Sequence, residues 1–244
     1  MQPPRRYFFV HLQKTAGTAL LRRLRHQFGV ERVYPRPAEQ GTPATVLDVD
    51  LLRRRLRDDG GELRAITGHF PLATVDLLDG PMATFTVLRD PVERVLSFLR
   101  HQREVDPGFA RHSLEEVYAA PIGTGALVRN HMTRMLSLTS HEMTEGALTP
   151  IEVDDRRLER ACEALADHID VMGLQDRFDT FCSDLEEEFG WNLGEPIFMN
   201  RTQEAPASDE LRERIASDND ADMALYEFAV DLWRRKHPEA SGGG

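Results

Sequence analysis

Lys14 is one of only two lysines among thirty basic residues, and it stands in Gln13-Lys14-Thr15-Ala16-Gly17-Thr18, directly after the apolar run Tyr7-Phe8-Phe9-Val10. Where a strand hands over to a helix, small and hydroxylated residues let backbone N–H groups converge on an anion. A lysine adds a compact, mobile charge there that a planar guanidinium does not match. This is the footprint of a phosphate or sulfate group. A second anion-binding pair is Arg89, which closes Phe85-Thr86-Val87-Leu88, and Ser97, about two turns into the helix that follows. The competing reading is a surface arginine with Asp90 as a helix cap. Two separated anion sites imply a ligand with phosphates at both ends. His69, in Gly68-His69-Phe70-Pro71, titrates near neutrality and can take the proton of an incoming hydroxyl. Its alternative is structural, with the ring bonded to a neighbouring carbonyl.

These groups need a scaffold that brings three loops together. Residues 7–12 read as a buried strand, and 18–28 as the helix after it, with Leu20, Leu21, Leu24 and Phe28 on one face. Short strands are expected at 63–67 and 83–88. From Pro91, which suits a first helical turn, Val92, Val95, Leu96 and Leu99 make an apolar stripe. An arginine-rich helix is expected at 47–57, and further helices at 114–120, 125–136 and 155–168. Val171 to Leu174 reads as the last core strand, followed by a helix at 178–189 that stops at Gly190. The tail from 209 to 236 reads as two helical pieces, docked through Leu225, Phe228, Ala229 and Leu232. The expected architecture is α/β: a three-layer, P-loop-like fold with a central parallel sheet flanked by helices. It forms one domain over 1–244, with the anion site in the N-terminal half and a mostly helical C-terminal half. In a parallel sheet the loops at 14–18, 68–71 and 89–91 all emerge at the carboxyl edge, where such sheets bind ligands.

Composition narrows the partners. The 244 residues carry a net charge of -11, so an anion must be held by a local basic cluster against the overall field. No long basic stripe invites nucleic acid. Cys162 and Cys182 have no metal-ligand spacing, and no metal is expected. Met1 to Arg6 run into the first strand without a signal-peptide pattern, and no stretch approaches membrane-spanning length. The expected compartment is the cytoplasm.

Val10-His11-Leu12-Gln13-Lys14-Thr15-Ala16-Gly17-Thr18 resembles the 5'-phosphosulfate loop of sulfotransferases that use 3'-phosphoadenosine-5'-phosphosulfate (PAPS), in the version written HIPKTAGT or HIPKTGGT. Thr86 to Ser97 resembles their 3'-phosphate segment, with arginine and serine at the same separation. The likeness is to the carbohydrate group that includes heparan sulfate 2-O- and 6-O-sulfotransferases, especially its short bacterial members. It extends to Gly68-His69, to Asn130 through Leu136, and to Gly173 through Asp179. Gly190-Trp191, Asn200-Arg201 and Leu225-Tyr226 also take part, so the likeness spans nearly the whole chain. Two positions depart from the pattern: Gln13 replaces a proline, and Ala19 replaces a serine or threonine.

The resemblance implies transfer of a sulfuryl group from PAPS to an acceptor hydroxyl by in-line displacement, leaving adenosine 3',5'-bisphosphate. Lys14 would act at the leaving oxygen. The N–H groups of Thr15, Ala16, Gly17 and Thr18 would hold the 5'-phosphate, with the threonine hydroxyls adding bonds and Gly17 leaving room for the ligand. Arg89 and Ser97 would grip the 3'-phosphate, and Arg201 would come over the nucleotide. His69 is the candidate base, with His11 or a helix carboxylate as alternatives. Asn130 and Arg134, four apart, would share a helix face toward the cofactor or an anionic acceptor. Phe70 would pack either in the core or against a ligand. The acceptor would be a carbohydrate, glycolipid or small metabolite; its identity and the oligomeric state stay open. A P-loop nucleotide kinase or NTPase is the main rival, but its motif places lysine after the glycine-rich turn, whereas Lys14 precedes Gly17. A nucleotide-binding protein without catalysis is the other.

Overall fold

The computed structural model describes residues 6–39, 47–59, 61–120, 124–144, 151–195 and 207–238. The chain begins with β1 (Arg6–Val10), α1 (Gly17–Phe28) and β2 (Val33–Tyr34). Then come α2 (Val49–Asp58), β3 (Ala65–Ile66), β4 (Met82–Leu88) and α3 (Pro91–Val105). Four short helices follow: α4 (Leu114–Ala119), α5 (Thr124–Val128), α6 (His131–Ser137) and α7 (Ser140–Thr144). The chain continues with α8 (Asp155–Asp167), β5 (Val171–Leu174), α9 (Phe178–Phe189), α10 (Asp209–Asp218) and α11 (Asp220–Lys236).

The sheet has the order β2-β3-β1-β4-β5, and every pairing is parallel. A parallel sheet is covered on both faces, so β1 reads as the apolar run Tyr7-Phe8-Phe9-Val10, and β4 is buried from Ala83 to Leu88 even at Thr84 and Thr86. From β1, Phe8 and Val10 enter one core with Leu52 and Leu56 of α2, Met132 of α6, Leu165 of α8 and Leu225 of α11. Phe9 enters the opposite core with Leu20 and Leu24 of α1, Phe85 and Val87 of β4 and Phe181 of α9. A third cluster joins α3, α4 and α10 through Val95, Leu99, Val117, Leu211 and Ile215. These layers are the three-layer α/β fold expected from the sequence. Phe70 is a core residue, fully enclosed near Tyr34. Leu225 and Ala229 dock α11 as expected, and Trp233 joins them.

One element was not expected, and one expectation fails, each for an identifiable reason. The two-residue strand β2, which pairs with β3 at one edge, is too short to carry a periodic signal. The single helix expected at 125–136 is two helices, broken at Asn130, whose backbone is left-handed with φ 45°. Asparagine tolerates that conformation, and tertiary bonds hold it. The Asn130 N–H donates to Asn219 Oδ1 at 2.8 Å, and its Oδ1 accepts from Asp222 N at 3.0 Å. Asn130 therefore ties α6 to the α10–α11 junction instead of facing a ligand, and it shares no helix face with the buried Arg134.

Asp222 is the centre of that tie. Its carboxylate accepts the N–H groups of Met132 (3.1 Å) and Thr133 (2.7 Å) and the Thr133 hydroxyl (2.8 Å). It thereby caps α6 from a helix about ninety residues away in sequence. Burial pushes its carboxyl pKa up, against the pull of the Arg94 guanidinium and these bonds. Arg94, also fully buried, donates to the carbonyls of Leu127 (3.1 Å) and Val128 (2.6 Å) at the end of α5. Asp222→Ala strands two N–H groups and removes the negative charge that offsets the buried Arg94 guanidinium. It is expected to lower stability by about 3–5 kcal/mol, read from the urea midpoint; a loss under about 1 kcal/mol would contradict this role.

Candidate functional site

The β1–α1 connection is built on left-handed backbone at two residues that carry side chains, Lys14 (φ 68°) and Ala16 (φ 70°), with Thr15 between them at negative φ. Alternation of this kind turns successive N–H groups toward one point and makes an anion-binding concavity. It opens directly onto the first turn of α1, whose unpaired N–H groups and dipole add to it. Thr15 is fully buried, and its Oγ1 donates to Leu12 O at 2.7 Å. Its hydroxyl thus locks the turn from below, leaving the backbone N–H as its contribution to an anion. Arg89 Nη1 donates to Lys14 O at 3.1 Å, which joins the first expected anion site to the second. Asp90 does cap α3, accepting from Glu93 N at 2.9 Å, so that segment performs the structural role and still delivers Arg89 to the sheet edge.

A cavity of about 530 Å3 lies above the carboxyl edge, a size typical of small-molecule sites. Lys14, Ala16, Gly17, Thr18, His69, Arg89 and Ser97 all line it, so the sequence-derived set converges, with Thr15 beneath. Arg201 lies outside the described residues. His101, one turn after Ser97 on α3, and Gln175, just after β5, also line it. His101 was foreseeable from its i, i+4 spacing to Ser97; Gln175 lies in the stretch from Gly173 to Asp179 that takes part in the resemblance, directly after a strand. Among the described residues no aspartate or glutamate lines the cavity, although the chain has forty-one. The described lining thus holds an ammonium and a guanidinium without a carboxylate, a local excess of positive charge.

Three histidines face this charge. His69 Nδ1 lies 3.3 Å from His11 O. A carbonyl only accepts, so Nδ1 carries the proton and Nε2 is left as the acceptor nitrogen. The structural bond and the proposed base role are therefore compatible. Burial lowers the His69 pKa below the ordinary histidine value, the carbonyl bond opposes this, and Lys14 lowers it further. His11 is held well below that value by burial, then by His69 and Lys14. Burial followed by Lys14 also lowers His101, against the pull of Glu104. Each favours the neutral ring, which accepts protons.

Two glycines are explained by neighbouring rings. A Cβ on Gly17 would fall 1.7 Å from His11 Nε2, so Gly17, which lines the cavity, also makes room for the His11 ring. The His11 ring, stacked on Phe9 at 5.1 Å, fills that space. Gly68 adopts φ 138°, and a Cβ there would meet the Phe70 ring at 2.5 Å. Substitution would displace the turn that carries His69. Among the described residues no group of three or more His, Cys, Asp or Glu side chains is placed to hold a metal ion, and no helix is long and apolar enough to cross a membrane.

No protein-family model matches the chain, and no curated protein matches it. Among solved structures it is similar to the crystal structure of a sulfotransferase from Alicyclobacillus acidocaldarius, with a TM-score of 0.50 and 19% sequence identity. The match covers 94% of this chain and 99% of that one. The chain shares the α/β architecture of that protein along nearly its whole length.

Left-handed backbone at a residue with a Cβ costs about 1–2 kcal/mol, which gives a direct test of the loop. Ala16→Gly is expected to raise stability by about 1 kcal/mol and the melting temperature by about 2–4 °C. A lower melting temperature would contradict the strained turn. Gly17→Ala is expected to do the reverse by forcing the His11 ring aside.

Proposed function

We propose that this chain is a sulfotransferase that uses PAPS and an acceptor hydroxyl. The observation that carries the reading is the convergence of the Lys14 loop with Arg89 and Ser97 in one cavity whose described lining has no carboxylate. The shared fold with a sulfotransferase and the PAPS-loop resemblance support it. The residues present fit such a nucleotide: a nest of N–H groups with an ammonium for one terminal charge, and a guanidinium with a hydroxyl for the other. PAPS supplies the activated sulfuryl group.

The chain's own residues do the remaining work. The N–H groups of residues 15–18 hold the 5'-phosphate, and Lys14 neutralises the negative charge that grows on the departing oxygen. Arg89 and Ser97 bind the 3'-phosphate and select against nucleotides that lack it. His69 accepts the acceptor's proton at Nε2 while the His11 carbonyl holds Nδ1–H. The acceptor is a hydroxyl of a carbohydrate, glycolipid or small metabolite.

Calorimetry is expected to show adenosine 3',5'-bisphosphate binding without Mg2+. Tighter binding of ATP, dependent on Mg2+, would point to a kinase or NTPase instead. Once an acceptor is found by mass detection of an added sulfuryl group, Lys14→Ala should lower turnover by about 100-fold or more while changing nucleotide affinity far less; unchanged turnover refutes the role of Lys14. The working form of His69 is neutral and its pKa is lowered. Transfer should therefore hold steady through neutral pH and fall only as pH drops below the ordinary histidine range. His69→Ala should abolish the proton-linked step and leave adenosine 3',5'-bisphosphate binding near normal.

A further inference from the structure

We infer that His131 is a positioning residue for the Lys14 loop, acting through the backbone N–H of Gln13. Gln13 N lies 3.4 Å from His131 Nε2, a long bond that joins positions 118 apart in the chain. His131 is almost fully enclosed and does not line the cavity, so it touches neither nucleotide nor acceptor. The bond falls on the residue immediately before the left-handed Lys14, where a small rotation of the backbone redirects the ammonium. Because the Gln13 N–H donates, His131 Nε2 must be unprotonated and the ring proton sits on Nδ1.

The support behind His131 is rigid. It opens α6, the helix whose first turn is capped by the buried Asp222 of α11. Other bonds hold the loop as well. Thr15 Oγ1 to Leu12 O is local, and Arg89 Nη1 to Lys14 O comes from a residue that must also serve the ligand. The His131 bond couples the loop to the helical layer through a group with no duty in the cavity. It also gives a reason for glutamine at position 13. A proline would fix φ through its ring but has no N–H to donate; here the restraint comes from across the fold.

The test rests on the nucleotide reading for its affinity arm and has a second arm that does not. In a double-mutant cycle, His131→Leu should weaken adenosine 3',5'-bisphosphate binding about three- to tenfold, the range of one modest hydrogen bond. Gln13→Pro removes the donor and restores a restraint on φ, so adding His131→Leu to it should weaken binding no further. His131→Gln, which keeps an acceptor, should stay within about twofold of the unmodified protein. Equal loss in both backgrounds would overturn the inference and leave His131 as packing. The independent arm is 15N NMR of the unmodified protein, where His131 Nε2 should be unprotonated and the Gln13 amide slow to exchange. A protonated Nε2 or a fast-exchanging amide overturns the inference whatever the variants do. If that arm holds and adenosine 3',5'-bisphosphate does not bind at all, the positioning role stands and the nucleotide reading fails.

Discussion

The structure depends on a turn of six residues between a buried strand and a helix, held with left-handed backbone at Lys14 and Ala16. An unsupported chain would relax out of that conformation, since each such residue is disfavoured by about 1–2 kcal/mol. The fold opposes relaxation from several sides. β1 is fixed between β3 and β4, the Thr15 side chain is buried under the turn, the His11 ring fills the space beside Gly17, and Arg89 and His131 reach in from other elements. On the proposed reading, strain maintained in this way is preorganisation: N–H groups already held in place lose little in ordering when an anion binds.

Charge follows the same logic at longer range. A net charge of -11 repels a polyanion from most of the surface. Two acids near the site point at helix starts rather than into the cavity. Asp90 caps α3, and Asp222 caps α6. Placing acids at helix starts uses their charge where backbone dipoles welcome it and leaves Lys14 and Arg89 to set the potential at the carboxyl edge. The lowered histidine pKa values belong to this arrangement too, since rings buried beside an ammonium stay neutral.

The main scaffold could be read from the sequence where the signal was local. Val171–Leu174 and Phe178–Phe189 occur as expected, because an apolar run and a C-terminal glycine mark them. The site loops could be read because parallel topology sends every loop after a strand to one edge. What stayed hidden is non-local. The break at Asn130 is stabilised by Asn219 and Asp222, about ninety positions away, and no spacing rule within 125–136 reports that. Gly17 was expected to leave room for a ligand; that it also accommodates the His11 ring, six positions earlier in the chain and brought back by the turn, had no local signal. Gln13 looked like a lost proline, and its N–H proves to be in use.

The central claim is that one nucleotide bridges Lys14 and Arg89 within a single cavity. The most direct measurement is a crystal structure with adenosine 3',5'-bisphosphate bound. The account requires the 5'-phosphate on the N–H groups of residues 15–18 beside Lys14, and the 3'-phosphate on Arg89 and Ser97. A nucleotide seated elsewhere, or one whose two phosphates leave either Lys14 or Arg89 untouched, would contradict it.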